Sequence, residues 1–415
     1  DAIARYFRTY AIPTLLSIWK GIKKLPPATY IQVNHGAVSS LQSFWKLDPA
    51  TFPSLSSPKE AVNALRQAID EAVKDRLMAD VPLGLFLSGG LDSAVIAASA
   101  VRQSTHRLRA FTVGFTDPTH DEAAAAKAVA KALCLEHHVA ILSEKEALTM
   151  LDEAVECLDE PLADPAILPQ LLLARFAKKY LTVALAGDGG DELLYGYQHI
   201  PLHAFAMKHV SAWALAGRLA PLARFIPAQA GYFSTGFKLQ RAARGLGVTE
   251  MWKRDLAWRG ACRARDVDEL LTLAVKQCAG GTSAEDRLQA YAQEVVPWAT
   301  PWQAWSWGYL RSFLMDEVMV KVDRATMWFG IEGRSPLLDR RVVETAFAIP
   351  DEYKGGSWGK KRLFREILKD TIPEGLLNRR KHGFGVPIAA WLKGPLRERL
   401  MSLTDPAFLH SQGFF

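Results

Sequence analysis

One six-residue run, Ser88-Gly89-Gly90-Leu91-Asp92-Ser93, constrains this chain more than anything else in it. Ahead of it, residues 83–87 are continuously apolar and of strand length; behind it, 94–103 have the composition of a helix. A strand, a turn of small residues and a helix N-terminus together cradle phosphate. The glycines let the backbone come close, and N–H groups of the first helical turn, which lack intrahelical partners, point at the charge. The run is not the G-x-x-x-x-G-K-[ST] loop, because no Lys follows the glycines and an acid, Asp92, stands there instead. A carboxylate beside phosphates needs a cation between them, and Mg²⁺ is the natural one. A plain strand-to-helix turn uses the same residue types, so the run alone leaves both readings open.

The surrounding pattern supplies a sheet for such a turn. Residues 83–87, 108–115, 138–142 and 181–185 read as strands, and 94–103, 121–133, 145–158 and 168–179 read as helices between them. That alternation predicts an α/β fold with a parallel twisted sheet and helices on both faces. The unit opens at Ser57-Pro58-Lys59-Glu60: an N-cap serine, a proline in the first helical position and a glutamate where a capping box needs it. Val62, Leu65, Ile69, Val73 and Leu77 follow at helical spacing. Residues after 200 read as mostly helical, with tryptophans from Trp252 to Trp307 expected as packing. Before residue 47 there is one helical stretch (3–10) and two strand-like runs (28–33 and 41–45) separated by the hairpin signal Asn34-His35-Gly36. That is too little to bury a core alone. A Pro- and Ser-containing linker, 47–57, separates it from the rest.

The strand at 181–185 runs into Ala186-Gly187-Asp188-Gly189-Gly190-Asp191-Glu192, a second glycine-rich turn, now loaded with carboxylates. Ligands of open parallel sheets bind beyond the carboxyl ends of the strands, so the two turns can converge. Three acids repel bare phosphate and attract it once a divalent cation intervenes. Asp92 and Asp191 are the expected metal pair.

Bulk properties exclude several classes. The chain has 415 residues, 50 Lys and Arg against 44 Asp and Glu, and no basic run of five, which argues against a nucleic-acid partner. No stretch of about 18 apolar residues occurs. The nearest, 210–232, is interrupted by Arg218, Arg224 and Pro227, so no membrane partner is expected either. Four scattered cysteines without a CxxC pair are expected to be reduced, mostly buried thiols of a cytoplasmic protein.

The first run resembles the SGG-x-DS pyrophosphate loop of the ATP pyrophosphatase superfamily. Further blocks narrow the resemblance to the synthetase domain of the glutamine-hydrolysing asparagine synthetase family. They are Phe111-Thr112-Val113-Gly114-Phe115, Asp159-Glu160-Pro161 with Asp164, and Gly187 to Glu192. Lys321-Val322-Asp323-Arg324-Ala325, Glu332-Gly333-Arg334-Ser335-Pro336-Leu337-Leu338-Asp339 and Lys381-His382-Gly383-Phe384-Gly385-Val386-Pro387 complete the set. The resemblance implies an adenine-nucleotide α-hydrolase-like fold over 58–415, with an α/β core at 58–200 and a mostly helical part at 201–415. Residues 1–46, a small β piece, resemble the end of a class II glutaminase domain. The family's glutaminase nucleophile is an N-terminal Cys, whereas this chain begins with Asp1; a truncated or processed chain unable to hydrolyse glutamine is expected.

The activity implied is ligation: a carboxylate, aspartate in the commonest form, attacks the α-phosphorus of ATP in the presence of Mg²⁺, and ammonia then displaces AMP. In longer members that ammonia comes from glutamine, and a homodimer is compatible with the family. By match to the family, Lys361 is the catalytic lysine, with Arg365 four residues on and expected on the same helical face. Asp188 occupies a position where some members carry Glu that assists the attacking nitrogen. Ser88, Gly89, Gly90, Leu91, Asp92 and Ser93 would hold the phosphates, and Phe86, Val113, Ala186 and Gly187 would line the adenosine site. Two departures bear on the acceptor: Ala186 replaces a family serine, and Ala166 and Gln170 stand where Ser and Thr are expected. Alternatives are an intramolecular β-lactam or macrolactam synthetase, an amidotransferase acting on a sugar or peptide carboxylate, and a non-catalytic nucleotide-binding scaffold.

Overall fold

A computed structural model of the chain describes residues 1–117, 121–226, 235–260, 262–278, 284–355, 361–378 and 385–415. Residues 381–384 of the last sequence block therefore lie outside the described residues.

The N-terminal helix Ala2–Thr9 is followed by four two-residue strands. β1 (Thr29–Tyr30) pairs antiparallel with β4 (Gln42–Ser43), and β2 (Val33–Asn34) with β3 (Ala37–Val38). His35 and Gly36, at φ 49° and 82°, supply the two positive-φ residues that a tight hairpin turn requires. The expected run 28–33 thus gives β1 and the start of β2, the run 41–45 gives β4 alone, and β3 falls outside both. The piece is tied to the rest through Trp45, whose ring lies tilted at 6.2 Å from that of Trp307 and which donates Nε1–H to Glu344 at 3.0 Å.

The central sheet has five parallel strands: β5 (Leu83–Phe86), β6 (Arg109–Phe115), β7 (Glu136–Leu142), β8 (Val183–Leu185) and β9 (Glu332–Arg334). Their spatial order is β7-β6-β5-β8-β9. Period-two alternation divides the core in two. Leu85, Leu87, Ala110, Val183 and Leu185 face one helical layer with Leu65, Ile69, Val95, Ile96 and Ile367. Phe86, Phe111, Val113, Ala184 and Ala186 face the other, with Leu171, Leu172, Ile331 and Trp391. Each buried Leu, Val or Phe contributes roughly 1.5–3 kcal/mol relative to exposure. The four strands expected from sequence are all present, with helices on both faces.

The sheet is not confined to 58–200, however. Its fifth strand, β9, comes from the helical half; with Glu332, Gly333 and Arg334 it carries no apolar signal and exists because it pairs with β8. Short length and charge suit an edge strand.

Helices depart from expectation in three places. The helix after the first glycine turn begins at Leu91 rather than at 94, so half the motif belongs to it (Leu91–Gln103). The single helix expected over 145–158 is two, Glu144–Thr149 and Leu151–Glu156. In the helix Pro58–Leu77, Ser57 Oγ accepts from Glu60 N at 3.2 Å, but the Glu60 carboxylate reaches Ser56 N rather than the cap's own amide.

In the second half, Pro301–Tyr309, Leu310–Val318 and Met319–Met327 run on without interruption, and the middle stretch has the wide turn of a π-helix. Trp258, Trp305 and Trp307 are buried, as packing requires. The thiols correct expectation: Cys157 is buried, but Cys262 is half-buried and Cys134 exposed.

Candidate active site

The turn after β5 satisfies much of its own polarity. Ser88 N donates to Ser93 Oγ at 3.2 Å, the two hydroxyls lie 3.1 Å apart, Gly90 N donates to Ser88 Oγ, and Ser93 Oγ donates to Gly90 O. Gly89 holds φ 75°, and a Cβ there would lie 2.6 Å from Ala126 N, so both conformation and space demand glycine.

The turn after β8 is pressed against the first. A Cβ on Gly187 would lie 2.6 Å from Ser93 N, and one on Gly190 would lie 2.4 Å from Asp92 Oδ1. Gly189, at φ 97°, starts the short helix Gly190–Leu193 that carries Asp191 and Glu192.

Lys361 closes the arrangement. Its Nζ lies 2.6 and 2.5 Å from the Asp92 carboxylate oxygens and 2.5 Å from Asp191 Oδ1. Only 5% of its side chain is exposed. The expectation that Lys361 and Arg365 share a helical face is corrected. Lys361 is the left-handed N-cap (φ 54°) of the helix Arg362–Leu368, outside its regular turns. Arg365 nevertheless lines the same cavity, donating Nε–H to Leu377 O at 3.1 Å.

Asp188 accepts from Ser335 Oγ at 3.3 Å. Burial raises its pKa, against the lowering influence of Lys321 and Ser335. Glu192 is buried, accepts from the Tyr197 hydroxyl, and is pushed up to about 7 by burial and then by Asp191. Burial presses Lys321 toward neutrality, but its partner Asp164 together with Glu317 and Asp188 outweighs burial and raises its pKa. On the π-helical stretch, burial and then Asp164 push Glu317 up to about 8.

These groups surround a cavity of about 910 Å³, within the range of ligand sites. It sits beyond the carboxyl ends of β5, β6 and β8. Every residue singled out from sequence lines it: Phe86, Ser88, Gly89, Gly90, Leu91, Asp92, Ser93, Val113, Ala186, Gly187, Asp188, Asp191, Lys361 and Arg365. Ala166 and Gln170 do too. Sequence reasoning gave no site role to Lys321, Asp164, Glu192 or Tyr197. Lys321 and Asp164 stood in quoted blocks, but a pairing across 157 residues has no local signature.

The hard carboxylate oxygens of Asp92 and Asp191 already converge on one cation, the Lys361 ammonium, so this donor set fits Mg²⁺. A second cluster, His199, His203 and Asp255, has ligand atoms within 4.8 Å of one another. There Arg254 Nε donates to His203 Nδ1 at 3.1 Å, which leaves the ring proton on Nε2, facing Asp255. That nitrogen is therefore a donor in a buried network and not a ligand.

Residues 64–415 match the family model described as asparagine synthase. Asparagine synthetase (glutamine-hydrolyzing) 1 of Bacillus subtilis is 30% identical over 99% of this chain and 63% of its own length. A putative asparagine synthetase of Mycobacterium bovis is 28% identical over 94% of the chain and 58% of its length. The amidase chry2 of Gibberella zeae is 23% identical over 96% and 63%. The chain thus spans less than two thirds of these relatives.

Proposed function

The chain belongs to the asparagine synthase family, and from that premise we propose that it is an ATP-dependent ligase that converts a carboxylate to an amide through an acyl-adenylate. A carboxylate oxygen attacks the α-phosphorus, the bond to the β-phosphate oxygen breaks, and pyrophosphate leaves. Ammonia then attacks the acyl carbon, AMP departs with its oxygen, and the nitrogen sheds a proton.

The observation that carries this reading is the Lys361 ammonium held between the two glycine turns. Amides of the Ser88–Ser93 turn grip the departing pyrophosphate. Lys361 supplies fixed positive charge where charge develops on the phosphate oxygens and then on the acyl oxygen. Asp188, its pKa raised by burial, takes the proton from the attacking nitrogen, directly or through one water. Phe86, Val113, Ala186 and Gly187 form the wall for adenosine, and Arg365 flanks the acceptor end. Asp92 and Asp191 would hold Mg²⁺, which neutralises phosphate charge when bound. Residues 1–46 are the end of a glutaminase domain by the same reading.

Aspartate is the first acceptor to test, but one observation favours a different carboxylate. Among the described residues lining the cavity, Lys321 is paired with Asp164, Lys361 with Asp92 and Asp191, and Arg365 with a carbonyl. Both lysines are thus matched by the chain's own carboxylates, the carbonyl on Arg365 is neutral, and Ala166 and Gln170 offer aspartate's second carboxylate no hydroxyl. A monocarboxylate on a sugar, a peptide or a ring-closing substrate suits that lining.

The test is pyrophosphate release with MgATP, ammonium and a panel of carboxylates, products read by mass spectrometry. Release is expected to require an acceptor. AMP formed equally fast without one would sink the assignment, and a product that ignores ammonium would establish ring closure.

A further inference from the structure

Residues 193–249 contain no Asp or Glu, although about six would fall there at the chain's own average of 44 in 415. Lys208, Arg218, Arg224, Lys238, Arg241 and Arg244 do fall there, and these six charges equal the chain's whole formal net charge of +6. Everything outside the segment balances to neutrality.

The same segment exposes an apolar edge. Trp213 anchors it from below: it is 3% exposed, packs with Ala206 and Trp258, and donates Nε1–H to Gly245 O at 3.0 Å. On the outer side, Leu215, Leu219, Leu222 and Phe225 are 57–69% exposed and Phe205 is 52% exposed. Gly217–Phe225 is a 3₁₀ stretch with three residues per turn, so Leu219, Leu222 and Phe225 stand in one file. Leu215, on the adjoining helix Val210–Ala216, extends it. A helical segment apolar on both its buried and its open sides is foreign to an ordinary solvated surface. Lys208 and Arg218 are exposed beside the file.

We propose that these helices seat the chain on an anionic lipid surface. Leu219, Leu222 and Phe225 enter the boundary between headgroups and acyl chains, and Lys208 and Arg218 meet the phosphates. An apolar file flanked by base, with no acid in its own segment, matches a surface that offers negative charge and hydrocarbon depth together. The expectation of no membrane partner rested on the missing span, and no described helix is long and apolar enough to cross. This segment would lie on the bilayer rather than pass through it.

Cosedimentation of the chain with vesicles tests this. Binding is expected to phosphatidylcholine vesicles containing about one-third phosphatidylglycerol and not to phosphatidylcholine alone, with release in high salt. Lys208→Gln with Arg218→Gln should weaken partitioning about fivefold per charge removed. Leu219→Gln with Leu222→Gln, which keeps every charge, should abolish it while thermal unfolding and pyrophosphate release stay unchanged. Absence of binding to the anionic vesicles would overturn the proposal. So would equal binding by the Leu219→Gln/Leu222→Gln variant, which means bare electrostatics. A concentration-dependent dimer lost in that variant would overturn it too, because a second copy then covers the file.

Discussion

After β5 the chain turns through Gly89 at φ 75° into a helix whose first turn holds one acid; after β8 it turns through Gly189 at φ 97° into a helix whose first turn holds two. The plan is shared, but the polarity is settled differently. The first turn pairs its own hydroxyls and amides, Ser88 with Ser93 and Gly90. Its acid, Asp92, shares the distant Lys361 with Asp191 of the second turn, which also draws Ser335 and Lys321 to Asp188 from far along the chain, while Tyr197, five residues on, serves Glu192. A parallel sheet fixes where such turns stand; the chemistry of each comes from whether its partners are local or distant.

Removing the distant partner should break the comparison most visibly. Lys361→Ala leaves two nearly buried carboxylates facing each other without their shared cation. Turnover, measured as pyrophosphate release, should fall by about 10²–10³. Retained turnover would mean that the second turn does not rely on it.

Next comes pH. The Glu192 carboxyl titrates near 7 in the folded chain against an ordinary 4.5, because of burial and Asp191. The folded state binds more protons in that window. Stability present below pH 4.5 is therefore lost as pH rises through 7, by on the order of 3 kcal/mol. Glu192→Gln should flatten this part of the curve in urea titrations at pH 5 and pH 8.

Contact between the turns is tested by Gly187→Ala, whose methyl would press on Ser93 N and the Asp92 backbone. A stability loss of roughly 1–3 kcal/mol is expected, with the nucleotide affinity falling as well. Unchanged affinity would show that the turns bind independently. The smallest effect is Ser88→Ala, about 1 kcal/mol in the same urea assay, since Ser93 Oγ keeps Gly90 O as partner.

Much of the sheet and the two glycine-rich turns of the cavity could be read from the chain because they follow local rules, whereas Lys361, Arg365, Phe86 and Val113 entered only through the family resemblance. β5 and β8 are apolar runs ending in glycine-rich turns, and a parallel sheet puts both turns on one side. What escaped reading was held by tertiary contacts alone. β9 is three residues without apolar pattern, made a strand by β8. The i, i+4 spacing of Lys361 and Arg365 suggested one helix, but the helix begins after Lys361, whose own backbone is left-handed. Exposure of Cys134 and Cys262 likewise depends on what packs over them, which their spacing does not record.

The π-helical stretch Leu310–Val318 feeds directly into the helix that carries Lys321. Its extra width is a matter of phase. Deleting one residue within it without a compensating change of pitch would rotate everything downstream by about 100°. Lys321 would swing away from Asp164 and from the Asp188 it helps to hold. The residue count between two elements is thus a determinant of this site in its own right, one that a one-codon deletion reaches and that no substitution alters.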